Sequence, residues 1–245
     1  MNNNKLFKDG FIKKKIKDSQ LNKINLIKKK IENLSKKEIK NKKNFSLANI
    51  HNLFTQNDFN KFRLDLIKEM NNISNLNQIL FNIFKDDLIE IFGPDISGQK
   101  NINLAIQRPR DIDRPQLHRD SPPGSKFEIV VWVPLVDCKK TMNMVFFPMS
   151  KTKLIKKFLL KDGINQTEIA KKYGFKLKNV NYGEYLIFLS KIYHYIPVNL
   201  EKSTRWSLNF RYKNTFTPYG KKGYLDYFEP INYSKITNAV IDENE

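Results

Sequence analysis

Apolar positions change their period along this chain, from helical in the first third to alternating in much of the rest. Leu21, Ile24, Ile27, Ile31 and Leu34 recur at the spacing that gathers side chains on one side of an α-helix, and lysines fill much of the other side. The pattern predicts a surface helix with Asp18 or Ser19 as its cap, preceded by a short strand over residues 10–16. Residues 36–44 read as a solvated end and residues 45–54 as a loop. A second helix is predicted from the neighbourhood of Thr55 to Asp58, presenting Phe59, Phe62, Leu66 and Met70. A third, over residues 75–92, presents Leu76, Leu80, Phe84, Leu88 and Ile91, and Gly93-Pro94 stops it.

After Gly98 the pattern becomes that of strands. Residues 102–107 alternate, residues 108–115 form a proline-rich loop, and residues 127–136 are a run of β-branched and aromatic side chains. Further strands are expected over residues 142–147, 185–189 and 205–212, with a lysine-rich helical insert at 152–172. A tail from Asn214 carries Tyr219, Tyr224, Tyr227 and Phe228 and is expected to pack across the core. Helices first and strands afterwards predict an α+β fold with a β-sandwich or barrel core. We expect one domain over 1–245, with a mainly helical N-terminal region (1–95), a strand core (96–213) and a tail (214–245).

Composition narrows the class. With 245 residues and 40% hydrophobic content the chain can bury a core, and no repeat of solenoid length is visible. The longest mainly apolar stretch, residues 127–136, is about half of the ~20 residues a membrane helix needs. The first residues show no apolar run of a signal peptide. The single cysteine, Cys138, cannot form an internal disulfide and suits a reducing cytoplasm; it reads as a small buried hydrophobe. The net charge of +19 invites a nucleic-acid reading, yet residues 1–50 alone carry 15 lysines against 4 acids, and the whole chain has only 7 arginines. Arginine is the residue that grips phosphates and bases bidentately, so a solvated lysine face is the better explanation and no specific nucleic-acid partner is expected.

Chemistry is suggested by two of the three histidines. His118 and Asp120 form a His-x-Asp pair, which on a strand projects both side chains from one face. His194 follows a predicted strand, and Arg205 and Ser207 open the next one. Two imidazoles and a carboxylate make the facial triad of non-haem Fe(II) oxygenases, with positions left open for co-substrate and oxygen. Along residues 205–212, Arg205, Ser207, Asn209 and Arg211 share one face, while Trp206, Leu208, Phe210 and Tyr212 share the other. Such a strand could face water, or it could line a polar barrel lumen. In the second case Arg205 and Ser207 suit the distal carboxylate of 2-oxoglutarate, because a guanidinium fork matches a carboxylate. His51, with no acid or arginine arranged around it, reads as a packing residue.

The set His118-x-Asp120, His194 and Arg205-Trp206-Ser207 resembles the Fe(II)/2-oxoglutarate oxygenases of the phytanoyl-CoA dioxygenase-like superfamily. More narrowly, residues 62–67, 102–107 and 127–138 are similar to the oxygenases of sporadic bacterial carbohydrate clusters, and the likeness runs from about Gly10 to residues 227–230. The resemblance implies a double-stranded β-helix (jelly-roll) core with helices packed on one side. It implies Fe(II), 2-oxoglutarate and O2 as cofactor and co-substrates, and a 2-oxoglutarate contact from Gln107. It further implies a sugar or nucleotide-sugar substrate; another small metabolite or an acyl thioester is the alternative within the class. Residues 121–126 depart from the tryptophan-bearing segment of that family. Asp120, where a halogenase would have a small residue, argues against chlorination. Two rival classes stay open: a basic nucleic-acid-binding protein with a vestigial triad, and a cupin-like protein that holds metal without turnover.

Overall fold

In the computed structural model, which describes residues 3–39, 45–120, 125–161 and 163–243, one long antiparallel sheet separates two apolar layers. The chain begins with α1 (Asn3–Asp9) and β1 (Phe11–Lys15), followed by α2 (Asp18–Lys37), α3 (Gln56–Asn71) and α4 (Leu76–Phe92). Then come β2 (Ile96–Gln99), β3 (Asn103–Gln107), β4 (Ile129–Pro134), β5 (Cys138–Lys139) and β6 (Val145–Phe146). Two short helices, α5 (Thr152–Leu159) and α6 (Gln166–Tyr173), precede β7 (Phe175–Lys176), β8 (Asn179–Val180), β9 (Glu184–Leu189) and β10 (His194–Tyr195). The chain closes with β11 (Arg205–Asn214), β12 (Phe228–Asn232) and α7 (Lys235–Asp242).

The large sheet runs β1-β9-β4-β11-β2-β12, and β3 pairs with the first half of β11, so β2 and β3 share one edge of that long strand. Alternation sorts its side chains. Val131, Val133, Ile187, Trp206, Leu208 and Phe210 face the buried stripes of α2, α3 and α4 in one core. Val130, Trp132, Leu186 and Phe188 face a second core shared with Phe146, Met142 and Ile196. Because both faces are covered, every residue of β4 is buried, which is why its sequence reads as a continuous apolar run. A small sheet, β10-β6-β7, closes the second core, with Phe146 stacked on Phe11 at 4.5 Å.

Several expectations need adjustment. Neither Asp18 nor Ser19 caps α2: Lys17 holds the cap position and makes no side-chain cap bond. Residues 47–52 form a 3-10 helix capped by Ser46, not a plain loop, because Leu47 and Ile50 are buried against the helical core. Ile39, within the stretch read as solvated, is buried, and residues 40–44 lie outside the described residues. Strand structure starts at Ile96, before Gly98, and the strand expected over 142–147 shrinks to two residues because Met142 ends a 3-10 turn. The insert at 152–172 splits into two helices, since Asn165 opens a fresh cap. The short strand expected over residues 10–16 does form, as the edge strand β1 paired with β9. The tail is itself structured: β12 joins β2, and Phe228 is fully buried. Among the described residues, no helix is long and apolar enough to cross a membrane.

Candidate metal centre

Two short segments far apart in the chain pair at the mouth of the second core. The backbone amides and carbonyls of His118 and His194 exchange hydrogen bonds of 3.1 and 2.9 Å, making them directly opposed residues of an antiparallel bridge. Alternation then decides what each side chain meets. Leu117, Tyr193 and Tyr195 point to an outer apolar cluster with Ile155 and Ile169. His194 turns inward, its ring 5.3 Å from that of Phe188, and the two imidazole centroids lie 4.2 Å apart. Asp120 is held by its amide, which donates to the Ser190 carbonyl at 3.0 Å. The ligand atoms available from His118, Asp120 and His194 all lie within 4.8 Å of one another.

The backbone also selects the tautomers. His118 Nδ1 lies 2.6 Å from the Gln116 carbonyl, and His194 Nδ1 lies 3.3 Å from the Ile192 carbonyl. A carbonyl can only accept, so each neutral ring carries its proton on Nδ1 and keeps the Nε2 lone pair for a metal. Burial pushes the His194 pKa down to about 4, with the nearby Asp120 opposing, so this ring is neutral near pH 7.

Across the second core, the polar face of β11 is turned inward and not to water. Arg205 and Ser207 are buried, and Arg205 is paired in register with Gln107 of β3. Arg205 Nη1 donates to the Met142 carbonyl at 3.3 Å, while its Nε, the Ser207 hydroxyl and Gln107 Oε1 are buried with no protein partner. Gln107 Nε2 donates to the Pro197 carbonyl at 2.9 Å. Burial lowers the Arg205 pKa from its ordinary value, although a guanidinium keeps its charge through the neutral range. Three buried polar atoms without partners are costly unless a ligand satisfies them, and a carboxylate supplies the acceptors that Arg205 and Ser207 lack. The donor set at His118, Asp120 and His194 likewise fits a divalent transition metal.

The structure brings the expected residues together in two groups: the three ligand candidates within 4.8 Å of one another, and the trio Arg205, Ser207 and Gln107 on adjacent strands. It adds partners that sequence reading did not supply. Arg211 Nη2 is 3.2 Å from the Asp120 carboxylate, and its Nη1 donates to the Tyr227 hydroxyl at 2.7 Å. Alternation put Arg211 on the same face as Arg205, but nothing in the sequence tied it to Asp120 or Tyr227. Glu128, fully buried, accepts from the Ser125 amide at 2.7 Å; burial raises its pKa, with Ser125 and Arg211 opposing. The half-buried His51 has its Nδ1 2.8 Å from the Thr204 hydroxyl, and it lines one cleft with Arg108 and Asp111, which its sequence neighbourhood did not show. Residues 121–124, which carry most of the segment that departs from the family pattern, lie outside the described residues.

No protein-family model and no curated protein matches the sequence. Among solved structures, the chain is similar to the non-haem monooxygenase ThoJ in its nickel complex, with a TM-score of 0.58, 12% identity, and 94% of this chain matched to 83% of that one. It is also similar to HygX from Streptomyces hygroscopicus with nickel and 2-oxoglutarate bound, with a TM-score of 0.54, 10% identity, and coverage of 91% and 88%. This chain therefore has the fold of those structures.

Proposed function

We propose that the protein is an Fe(II)- and 2-oxoglutarate-dependent dioxygenase with a double-stranded β-helix core. Its substrate in this reading is a sugar or nucleotide-sugar-type precursor in surface polysaccharide or related carbohydrate biosynthesis. The observation that carries the proposal is the convergence of two imidazoles and one carboxylate within 4.8 Å, each imidazole tied through Nδ1 to a carbonyl. HygX, which has this fold and holds nickel with 2-oxoglutarate, supports the pairing of metal and co-substrate. The carbohydrate assignment rests on the resemblance of residues 62–67, 102–107 and 127–138. The buried, unpaired Cys138 suits a cytoplasmic setting.

When bound, iron with 2-oxoglutarate supplies the oxidation: O2 gives one oxygen atom to succinate, released with carbon dioxide, and the other to a substrate C–H bond. The residues of this chain bind, orient and exclude water. His118 and His194 offer Nε2 lone pairs, and Asp120 offers a carboxylate oxygen. Arg205 grips the distal carboxylate of 2-oxoglutarate, Ser207 donates to the same group, and Gln107 borders it. Phe146 and Phe188 wall the site beside His194 and keep solvent from it.

Anaerobic addition of Fe(II) and 2-oxoglutarate to the metal-free protein is expected to produce the visible charge-transfer band of the chelate. His194→Ala abolishes the band. Arg205→Ala removes a charge-assisted contact of about 1.5–3 kcal/mol, raising the 2-oxoglutarate midpoint by roughly 10- to 200-fold. Well-folded protein that binds iron and gives no band overturns the reading.

A further inference from the structure

We propose that Arg211 is a positioning residue for the Asp120 carboxylate, and that its bond to Tyr227 makes the tail segment an element of the metal site. The inference rests on the reading of His118, Asp120 and His194 as ligands. A facial site needs its carboxylate in one orientation, whereas an aspartate side chain turns about its last bond at little cost. Among the described residues, the cation on the Asp120 carboxylate is Arg211 at 3.2 Å, and the His118 ring stands 3.7 Å from the same oxygen. A guanidinium is rigid and planar, so fixing it at several nitrogens fixes what it grips.

Arg211 is fixed in that way. Its Nη1 donates to the Tyr227 hydroxyl at 2.7 Å, and its Nε faces Glu128 Oε2 at 3.9 Å. Glu128 cannot swing, because it is fully buried and its other oxygen accepts from the Ser125 amide. The Asp120 contact at 3.2 Å is a hydrogen-bond distance, and the Glu128 distance is not, so Arg211 serves Asp120 more closely than it neutralises Glu128. Tyr227 stands just before β12, and its ring packs 4.9 Å from that of Phe228. The chain of contact therefore runs from Phe228 through Tyr227 and Arg211 to the ligand carboxylate.

A competing role predicts the opposite sign. If Arg211 only balanced the Asp120 charge in place of a metal, its cation would repel an arriving dication, and removing it would tighten metal binding. Calorimetric titration of the metal-free protein with Ni(II), an ion that does not oxidise in air, separates the two. Positioning predicts that Arg211→Met and Arg211→Lys both weaken Ni(II) binding by roughly 10- to 100-fold, the usual range for partners that orient ligands. Lysine keeps the charge but cannot span Asp120 and Tyr227 together, so it gives little rescue. Tyr227→Phe, which removes one hydroxyl and keeps the ring, weakens binding less and in the same direction. Thermal melting of the metal-free variants, with Arg211→Lys and Tyr227→Phe expected close to the parent, shows that the loss is local. Parent-like or tighter binding in Arg211→Met or Arg211→Lys overturns the proposal, and so does an unchanged Tyr227→Phe. If Arg211→Met does not fold, the other two variants decide. Parent protein that binds no Ni(II) sinks the metal-site reading itself.

Discussion

At the scale of single residues, the site is a contrast between charged and neutral contacts. Arg205 and Ser207 are expected to touch the same carboxylate, but Arg205 brings a full positive charge and several donors, whereas the Ser207 hydroxyl gives a single bond and no charge of its own. Ser207→Ala should therefore raise the 2-oxoglutarate midpoint by less than Arg205→Ala does, in the same anaerobic titration. Cys138 makes a second residue-level case. Burial, opposed by Arg205, pushes its pKa up to about 12, so at pH 8 almost none of it is thiolate, and only thiolate reacts with iodoacetamide. Native protein should resist alkylation and label fully once unfolded, as mass spectrometry would report. The candidate ligands were legible because histidine is rare in this chain and the His-x-Asp pair, weak by itself, occurs together with His194 and Arg205. Glu128 and Tyr227 were not legible, since their roles depend on a buried amide and on a tail that returns to the lumen, and neither leaves a local pattern.

At the scale of elements, alternation carried most of the information. The period of two in residues 205–212 separated the inward and helix-facing sides of β11 correctly, and the stripes of α2, α3 and α4 match their buried sides. Alternation could not say whether the polar side of β11 met water or a lumen; only the second sheet decides that. Two-residue strands such as β6 and β10 also escape a periodicity argument, because the pairing that makes them strands is entirely non-local. The junction between α1 and β1 offers a test. Gly10 has φ of +89°, and a Cβ there would sit 2.5 Å from Ile192 Cδ1 and 3.2 Å from Met149 Cγ. Gly10→Ala combines left-handed strain with a clash, so it should cost about 1–3 kcal/mol, read as a lower denaturant midpoint. Because the Ile192 carbonyl accepts the hydrogen bond from His194 Nδ1, the same change should also weaken Ni(II) binding.

At the scale of the whole molecule, +19 of net charge sits on a fold whose candidate chemistry is internal. Lys29, Lys30 and Lys37 are exposed on α2, on the far side of the large sheet from the lumen. Changing all three to glutamate should sharply reduce salt-sensitive retention on immobilised DNA and leave the charge-transfer band unaltered. Band loss in that variant would link the basic helix to the site and revive the nucleic-acid reading. The bridge between His118 and His194 has a different kind of consequence, in the history of each molecule. A one-residue slip in that pairing would turn Leu117 inward and His118 out, so only the correct register brings both imidazoles to the same ion. A metal held by these residues would thus act as a proofreader of strand pairing. Chains made while iron is scarce would keep a misregistered fraction, and late addition of metal would rescue them only as fast as the two segments separate and re-pair.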